Sequence, residues 1–175
     1  MNDWIACFDK ETGCSLHESG KCRFEHDHLN IDGNAQAIMI DGLILNQKEL
    51  FDQYQTTDFL NLVLKMRQAK PKDFFNDFRG PFTGLYYDKC SGDAVVFTNQ
   101  TGDSAVFYYL SDRLQAFSSN YNMLLDFLKE HQIPVTLDEK AANWMLTFGY
   151  LIDDATFTTE IKRLRAGKAD RKSVV

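Results

Sequence analysis

Four cysteines are few for 175 residues, and Cys7, Cys14, Cys22 and Cys90 form no tight C-x-x-C pair. That spacing excludes a recognised zinc ribbon and a thioredoxin-like redox motif. No basic, apolar-cored leader follows Met1-Asn2-Asp3-Trp4, so reduced thiols and a cytoplasmic setting are expected. No apolar window approaches the length of a membrane span, which argues against membrane partners. Positive charge is also short: the formal net charge is −6, and Lys and Arg are not interleaved with aromatics, which argues against a nucleic-acid surface. Repeats, low-complexity tracts and internal linkers are lacking. What is plentiful is apolar material, 44% hydrophobic and 13% aromatic, enough for one substantial core.

The charge is uneven. Residues 160–175 hold six of the 19 basic residues, leaving a net −10 for residues 1–159. The chain thus divides into a domain over 1–160 and a basic linker or tail over 161–175, in which residues after about Gly167 lack apolar anchors and are expected to pack poorly.

Trp4 to Phe8 is a short apolar strand closed by a polar turn at Asp9–Gly13. Phe24 to Ile31 alternates loosely, and Ala35 to Ile40 is a more apolar strand. Thr57 is placed to cap a helix whose apolar residues Phe59, Leu62, Val63 and Met66 fall on one face, with Pro71 beyond its end. Phe82 to Asp88 and Ala94 to Phe97 read as a hairpin. Two further strands, near 106–110 and 114–118, extend the series to a four-stranded meander. Tyr121, Leu124, Leu125 and Leu128 repeat at helical spacing after Asn120. Thr136 to Glu139 reads as a capping box opening a helix that Gly149 ends.

The densest segment is Asp41-Gly42-Leu43-Ile44-Leu45-Asn46, with Glu49-Leu50: a strand end, a glycine-containing turn and a helix start. It resembles the N-G-E-I-Y-N-x-x-E-L segment of the asparagine synthetase family's N-terminal glutaminase domain. Phe78-Arg79-Gly80-Pro81-Phe82 through Asp88 is similar to that family's L-R-G-M-F-A-F-A-x-Y-D. Thr98 to Tyr109, Gln115 to Ser119 and Ile161 to Gly167 resemble later pieces in the same order. The resemblance covers about residues 36 to 167. It implies an α+β fold, a four-layer αββα Ntn-hydrolase sandwich of two antiparallel sheets, in the manner of class II glutamine amidotransferases.

That chemistry needs an N-terminal Cys whose own amine is the base, an oxyanion hole, and a clamp on the glutamine carboxylate and amine. The resemblance puts Asp3 where the Cys belongs. In the hole it leaves Gly42 its backbone donor and sets Asp41 in place of a neutral Asn. No Arg-Gly-Pro-Asp loop precedes Asp41, and Asp58 matches the acid that binds the substrate amine. The vestigial site is therefore Asp41, Gly42 and Asp58, with no catalytic residue expected. The alternative is an active glutaminase exposing Cys7 after loss of Met1 to Ala6; against it, Cys7 lies inside an apolar strand, where a buried thiol is the commoner case. A metal site from Cys14, His17, Cys22, His26 and His28 is weaker than solvated loop histidines, and no metal or cofactor is expected.

The resemblance extends to β-lactam synthetases and lasso-peptide cyclases, which keep such a domain without its Cys. It implies a non-catalytic scaffold, a pseudoenzyme domain for amide biosynthesis beside an ATP-dependent synthetase domain or subunit. Neither the Ser-Gly-Gly-x-Asp loop of that synthetase nor a Walker sequence occurs here. The region of residues 137–149 is expected to carry exposed apolar side chains suited to such a partner. A homodimer and a free-standing binding module are the remaining readings.

Overall fold

The computed structural model describes residues 3–11, 13–19, 36–88, 90–167 and 169–173. Its elements form two antiparallel sheets and four α-helices, the α+β class expected. They fall into two compact units, each assembled from separated stretches of the chain. Among the described residues no helix is long and apolar enough to cross a membrane.

The first unit holds strands β3 (Gln36–Gly42), β4 (Phe82–Asp88), β5 (Asp93–Thr98) and β9 (Ala169–Ser173), in the spatial order β3-β4-β5-β9. Strand side chains alternate between faces, and Ile38, Phe82, Tyr86, Val95 and Phe97 share one of them. Helices α1 (Gln47–Tyr54) and α2 (Phe59–Ala69) and a 3-10 turn at Phe74–Asp77 contribute the rest of that core. Phe74, Phe75, Phe78, Phe82 and Phe97 meet edge-on, stacked or tilted, with centroids 5.4–6.5 Å apart, and the edge-on and offset-stacked pairs add to their area burial. The aromatic side chains of Phe74, Phe75, Phe78, Phe82 and Tyr86 are therefore core packing. The face of α2 is also the expected one, since Phe59, Leu62, Val63 and Met66 are its buried residues. Its cap is not Thr57. Asp58 occupies the N-cap and accepts from the Asn61 N–H at 2.8 Å, while Thr56 Oγ1 accepts from the Asp58 N–H.

The second unit holds β1 (Asp3–Asp9), β2 (Gly13–Ser19), β6 (Phe107–Leu110), β7 (Leu114–Ser118) and β8 (Lys162–Arg163), in the order β2-β1-β7-β6-β8. Helix α3 (Tyr121–Glu130) packs Leu124 and Leu128 against Ile5, Ala116 and Ile161. Asn120 caps it, its side chain accepting from the Asn122 and Met123 N–H groups. Helix α4 (Glu139–Phe148) ends on Gly149 in the left-handed conformation, as expected. It is capped by Asp138 rather than Thr136, whose N–H is used instead by the Glu160 carboxylate at 2.9 Å.

Two further expectations are corrected. The four strands from β4 to β7 are not one meander: β4 and β5 pair in the first unit, and β6 and β7 in the second. The physical reason lies at the Asn99–Gly102 turn, where Gly102 at φ +72° and the Gly102 N–H bond to the Asn99 carbonyl turn the chain away from β5. The segment after Gly167 is not loose either, because Ala169–Ser173 pairs with Asp93–Phe97 along five residues. Backbone hydrogen bonds, which need no apolar side chain, hold it there. The strand-like stretch expected over 24–31 lies outside the described residues.

Candidate functional site

Asp41 and Gly42 close β3, opposite Thr83 and Phe82 of β4. The ladder continues past the strand end: the Leu43 N–H donates to the Pro81 carbonyl and the Leu45 N–H to the Arg79 carbonyl, each at 2.8 Å. Phe82 spends its own carbonyl on the other side, accepting from the Asn99 N–H at 3.1 Å. Since both backbone groups of a strand residue point the same way, the Gly42–Phe82 pair is a wide one, and the Gly42 N–H stays on the outer side of β3.

Glycine is required at both crossings of this loop. Gly42 has φ +116°, and a Cβ there meets the Pro81 carbonyl oxygen at 2.2 Å; Gly80 has φ +121°, and a Cβ there meets the Leu43 carbonyl oxygen at 2.2 Å. Two backbones thus lie against each other with no side chain between them. Asn46 tightens the arrangement. It stands at the N-cap of α1, yet its side chain donates to the Asp77 carbonyl and accepts from the Arg79 N–H, both at 2.9 Å. The result is a backbone donor held still at the end of a strand, which is what stabilising a developing anion demands.

The side chain beside that donor is a carboxylate. Asp41 is 6% exposed, and by strand alternation it shares the sheet face of Thr83 and Thr98 rather than that of Ile38. Thr98 Oγ1 donates to the Ser104 carbonyl at 2.7 Å, whereas the buried Thr83 Oγ1 has no partner among the described residues. Asp58, in the same unit, sits at the start of α2, where its side chain caps the helix by accepting from the Asn61 N–H.

Asp3 and Cys7 belong to the other unit, both on β1. Asp3 opens the strand and accepts from Asn120 Nδ2 at 2.8 Å. Cys7 is 6% exposed, flanked across the sheet by Ser15 and Ala116. Burial pushes its thiol up to about 11, with a smaller push from Asp9 and a hydrogen bond to Ser15 pulling the other way. At neutral pH it is a thiol rather than the thiolate that attacks carbonyl carbon. Trp4, Ile5 and Ala6, just before it, are buried in the sheet. Cys22, His26 and His28 lie outside the described residues; Cys14 and His17 fall in β2.

The sequence reading passed over one feature. A cavity of about 340 Å³ opens at the end of β4 and β5, lined by residues 78–81 and by Asn99, Gln100, Thr101 and Asp103. Both segments read as turns; the legible signal was the cluster of polar side chains in Asn99-Gln100-Thr101-Gly102-Asp103, denser than a turn requires.

Comparison with known proteins agrees with the loop. Residues 28–173 match the model of the glutamine amidotransferase domain family. Solved structures similar to this chain include the glutamine phosphoribosylpyrophosphate amidotransferase from B. subtilis complexed with ADP and GMP, at 12% identity and a TM-score of 0.45. A structure described as the allosteric regulatory enzyme of purine biosynthesis is similar at 12% identity and a TM-score of 0.43. Each likeness covers 67% of this chain and 35% of the other, so the matched part is about a third of those proteins' length. No curated protein sequence matches the chain. The family match spans β3 through β9, including the Asp41–Gly42 loop and its Gly80–Pro81 support, and on that match the chain belongs to the glutamine amidotransferase domain family.

Proposed function

We propose that this chain is a catalytically inactive glutamine amidotransferase-like domain, a pseudoenzyme of the asparagine-synthetase-like branch that supports an ATP-dependent amide- or lactam-forming partner in the cytoplasm. The observation that carries the reading is on β1. Asp3 opens the strand, at the place where the resemblance to the asparagine synthetase family puts the nucleophile, and the nearby Cys7 is a buried mid-strand thiol with its pKa raised to about 11. A carboxylate forms no thioester with glutamine, and a protonated, enclosed thiol does not start one. Asp41 supports the same conclusion, since a negative oxygen beside the Gly42 donor repels the charge that the hole exists to stabilise.

The scaffold role draws on a separate surface. Leu137, Leu146, Phe148, Tyr150 and Phe157 are exposed around α4, Leu146 by 86%, and the Phe148 and Tyr150 rings lie 6.1 Å apart. Exposed apolar side chains gathered in this way suit a protein partner.

Incubation with glutamine and a glutamate readout tests the inactivity, with no turnover expected above a Cys7→Ala control. Turnover that the control abolishes overturns the reading in favour of a processed Cys7 glutaminase. For the partner, hydrogen exchange near Trp144 is expected to slow on mixing with a candidate synthetase; unchanged exchange counts against the scaffold.

A further inference from the structure

The cavity at the end of β4 and β5 carries opposite charges that do not meet. Arg79, whose guanidinium has no partner among the described residues, and Asp103 both line it. No ion pair joins the two. One oxygen of Asp103, Oδ2, is held by the Thr101 hydroxyl and by Asn99 Nδ2 at 3.4 Å, which leaves Oδ1 for a ligand. Unpaired charges of opposite sign on one small cavity describe the complement of a zwitterion.

The walls are fixed before anything binds. Asn46 Oδ1 holds the Arg79 N–H, Gly80 is locked against Leu43, and the Asn99 backbone is bonded on both sides, to Phe82 and to the Gly167 N–H at 2.9 Å. Asn99 itself is buried, and its side chain reaches Thr101 at 2.7 Å, so the polar turn keeps its shape without a ligand. A pre-formed site loses less on ordering when a ligand arrives. At about 340 Å³ the cavity is at the small end of the range for small-molecule sites, roughly 300–1,000 Å³, and Phe78 and Pro81 give it an apolar portion.

We infer that this cavity binds a small zwitterion, an aliphatic compound bearing one carboxylate and one ammonium group. The carboxylate pairs with the Arg79 guanidinium, whose planar fork suits two parallel N–H···O bonds. The ammonium pairs with Asp103, and Thr101 and Gln100 line the same cavity. The aliphatic span between the charges lies along Phe78 and Pro81. This goes beyond the proposed inactivity and does not rest on it, because the glutaminase argument uses only the backbone of residues 79–81 and none of the side chains named here.

Titration of the isotopically labelled chain, followed by amide chemical shifts, tests the assignment with glycine, 4-aminobutyrate and 6-aminohexanoate as zwitterions of increasing span. Acetate and methylammonium serve as the separate halves. One zwitterion is expected to saturate shifts at Gly80, Gln100 and Thr101 at least tenfold more tightly than either half. Arg79→Gln and Asp103→Asn, at exposed positions where the fold is not at risk, are each expected to weaken it at least tenfold. Binding no tighter than the halves, saturation that maps elsewhere, or two variants that bind like the parent chain overturns the proposal. Glutamine turnover is a separate readout, so failure here leaves the inactivity standing.

Discussion

Removing residues 1–6, so that Cys7 becomes the first residue, tests the competing glutaminase reading through stability rather than through activity. The cut takes Trp4, Ile5 and Ala6 out of β1, which lies between β2 and β7. Truncating a buried Trp costs about 3–5 kcal/mol and a buried Ile about 2–5. Three hydrogen bonds to the Trp4 backbone also go: its N–H to Ser119 Oγ at 3.0 Å, and its carbonyl from Ser118 Oγ at 2.7 Å and from the Ser119 N–H at 3.1 Å. At about 1 kcal/mol each, they bring the loss to roughly 8–13 kcal/mol. The Trp4 indole N–H is buried without a partner among the described residues, and relieving it returns about 1–3 kcal/mol. The remainder, about 5–12 kcal/mol, matches the whole stability of an ordinary domain, about 5–15 kcal/mol. Urea unfolding followed by circular dichroism on a chain released at Cys7 by a site-specific protease is expected to show no cooperative transition. A transition near that of the full chain, with glutamine turnover, refutes the reasoning and makes Met1 to Ala6 a dispensable leader.

The Cys7 thiol holds its proton in the folded state to about pH 11, while the unfolded thiol releases it near its ordinary value of 9.0. Between those values the folded chain binds more protons than the unfolded one, so stability falls as pH rises through that window. The urea midpoint of the parent chain is expected to drop more steeply from pH 9 to 11 than that of Cys7→Ala; parallel curves refute the shift. The exposed Cys90 is expected to react with a thiol reagent at pH 8, and Cys7→Ala is expected to leave the number of fast-reacting thiols unchanged. Asp58→Ala removes an N-cap bond and is expected to cost about 1 kcal/mol by urea unfolding, whereas Asp58→Asn costs a few tenths; equal losses refute capping as its role. Gly80→Ala places a methyl where the Leu43 carbonyl oxygen lies and is expected to cost at least about 1–3 kcal/mol from backbone strain alone, with a neutral result contradicting the close crossing.

Helix α2 was legible because four apolar side chains at helical spacing all had to enter one core, and periodicity records that need directly. Its cap lies one residue beyond Thr57 because Thr57 and Asp58 are both good cap formers, and it is the Asp58 carboxylate that reaches the Asn61 N–H. Strands β2 and β9 were illegible for a different reason. Gly-Cys-Ser-Leu-His-Glu-Ser and Ala-Asp-Arg-Lys-Ser carry little apolar pattern, and each lies at the edge of its sheet, where backbone pairing with β1 or β5 suffices. Sheet membership was equally out of reach for β6 and β7, since the turn at Gln100–Asp103 looks the same locally whether it closes a hairpin or leaves the sheet. In the site, Gly42 announced itself through its motif, and the structure supplies the cause in the Pro81 carbonyl at its back. The cavity at Arg79 and Asp103 needed the pairing of β4 with β5 to bring two distant segments to one place.

The late position of β9 in the chain has a consequence for synthesis. The first unit takes residues 20–104 and then waits for residues 166–175, while the second is interleaved around it as residues 3–19 and 105–165. Neither can be cut out as a continuous fragment. As the chain emerges, Val95, Val96 and Phe97 of β5 present an unpaired backbone edge until residues 169–173 have been made. Such an edge invites pairing with other chains. The short charged strand Ala-Asp-Arg-Lys-Ser is therefore the plug that ends the exposure, and expression of a version stopped near residue 160 would yield aggregates long before it yielded a soluble domain.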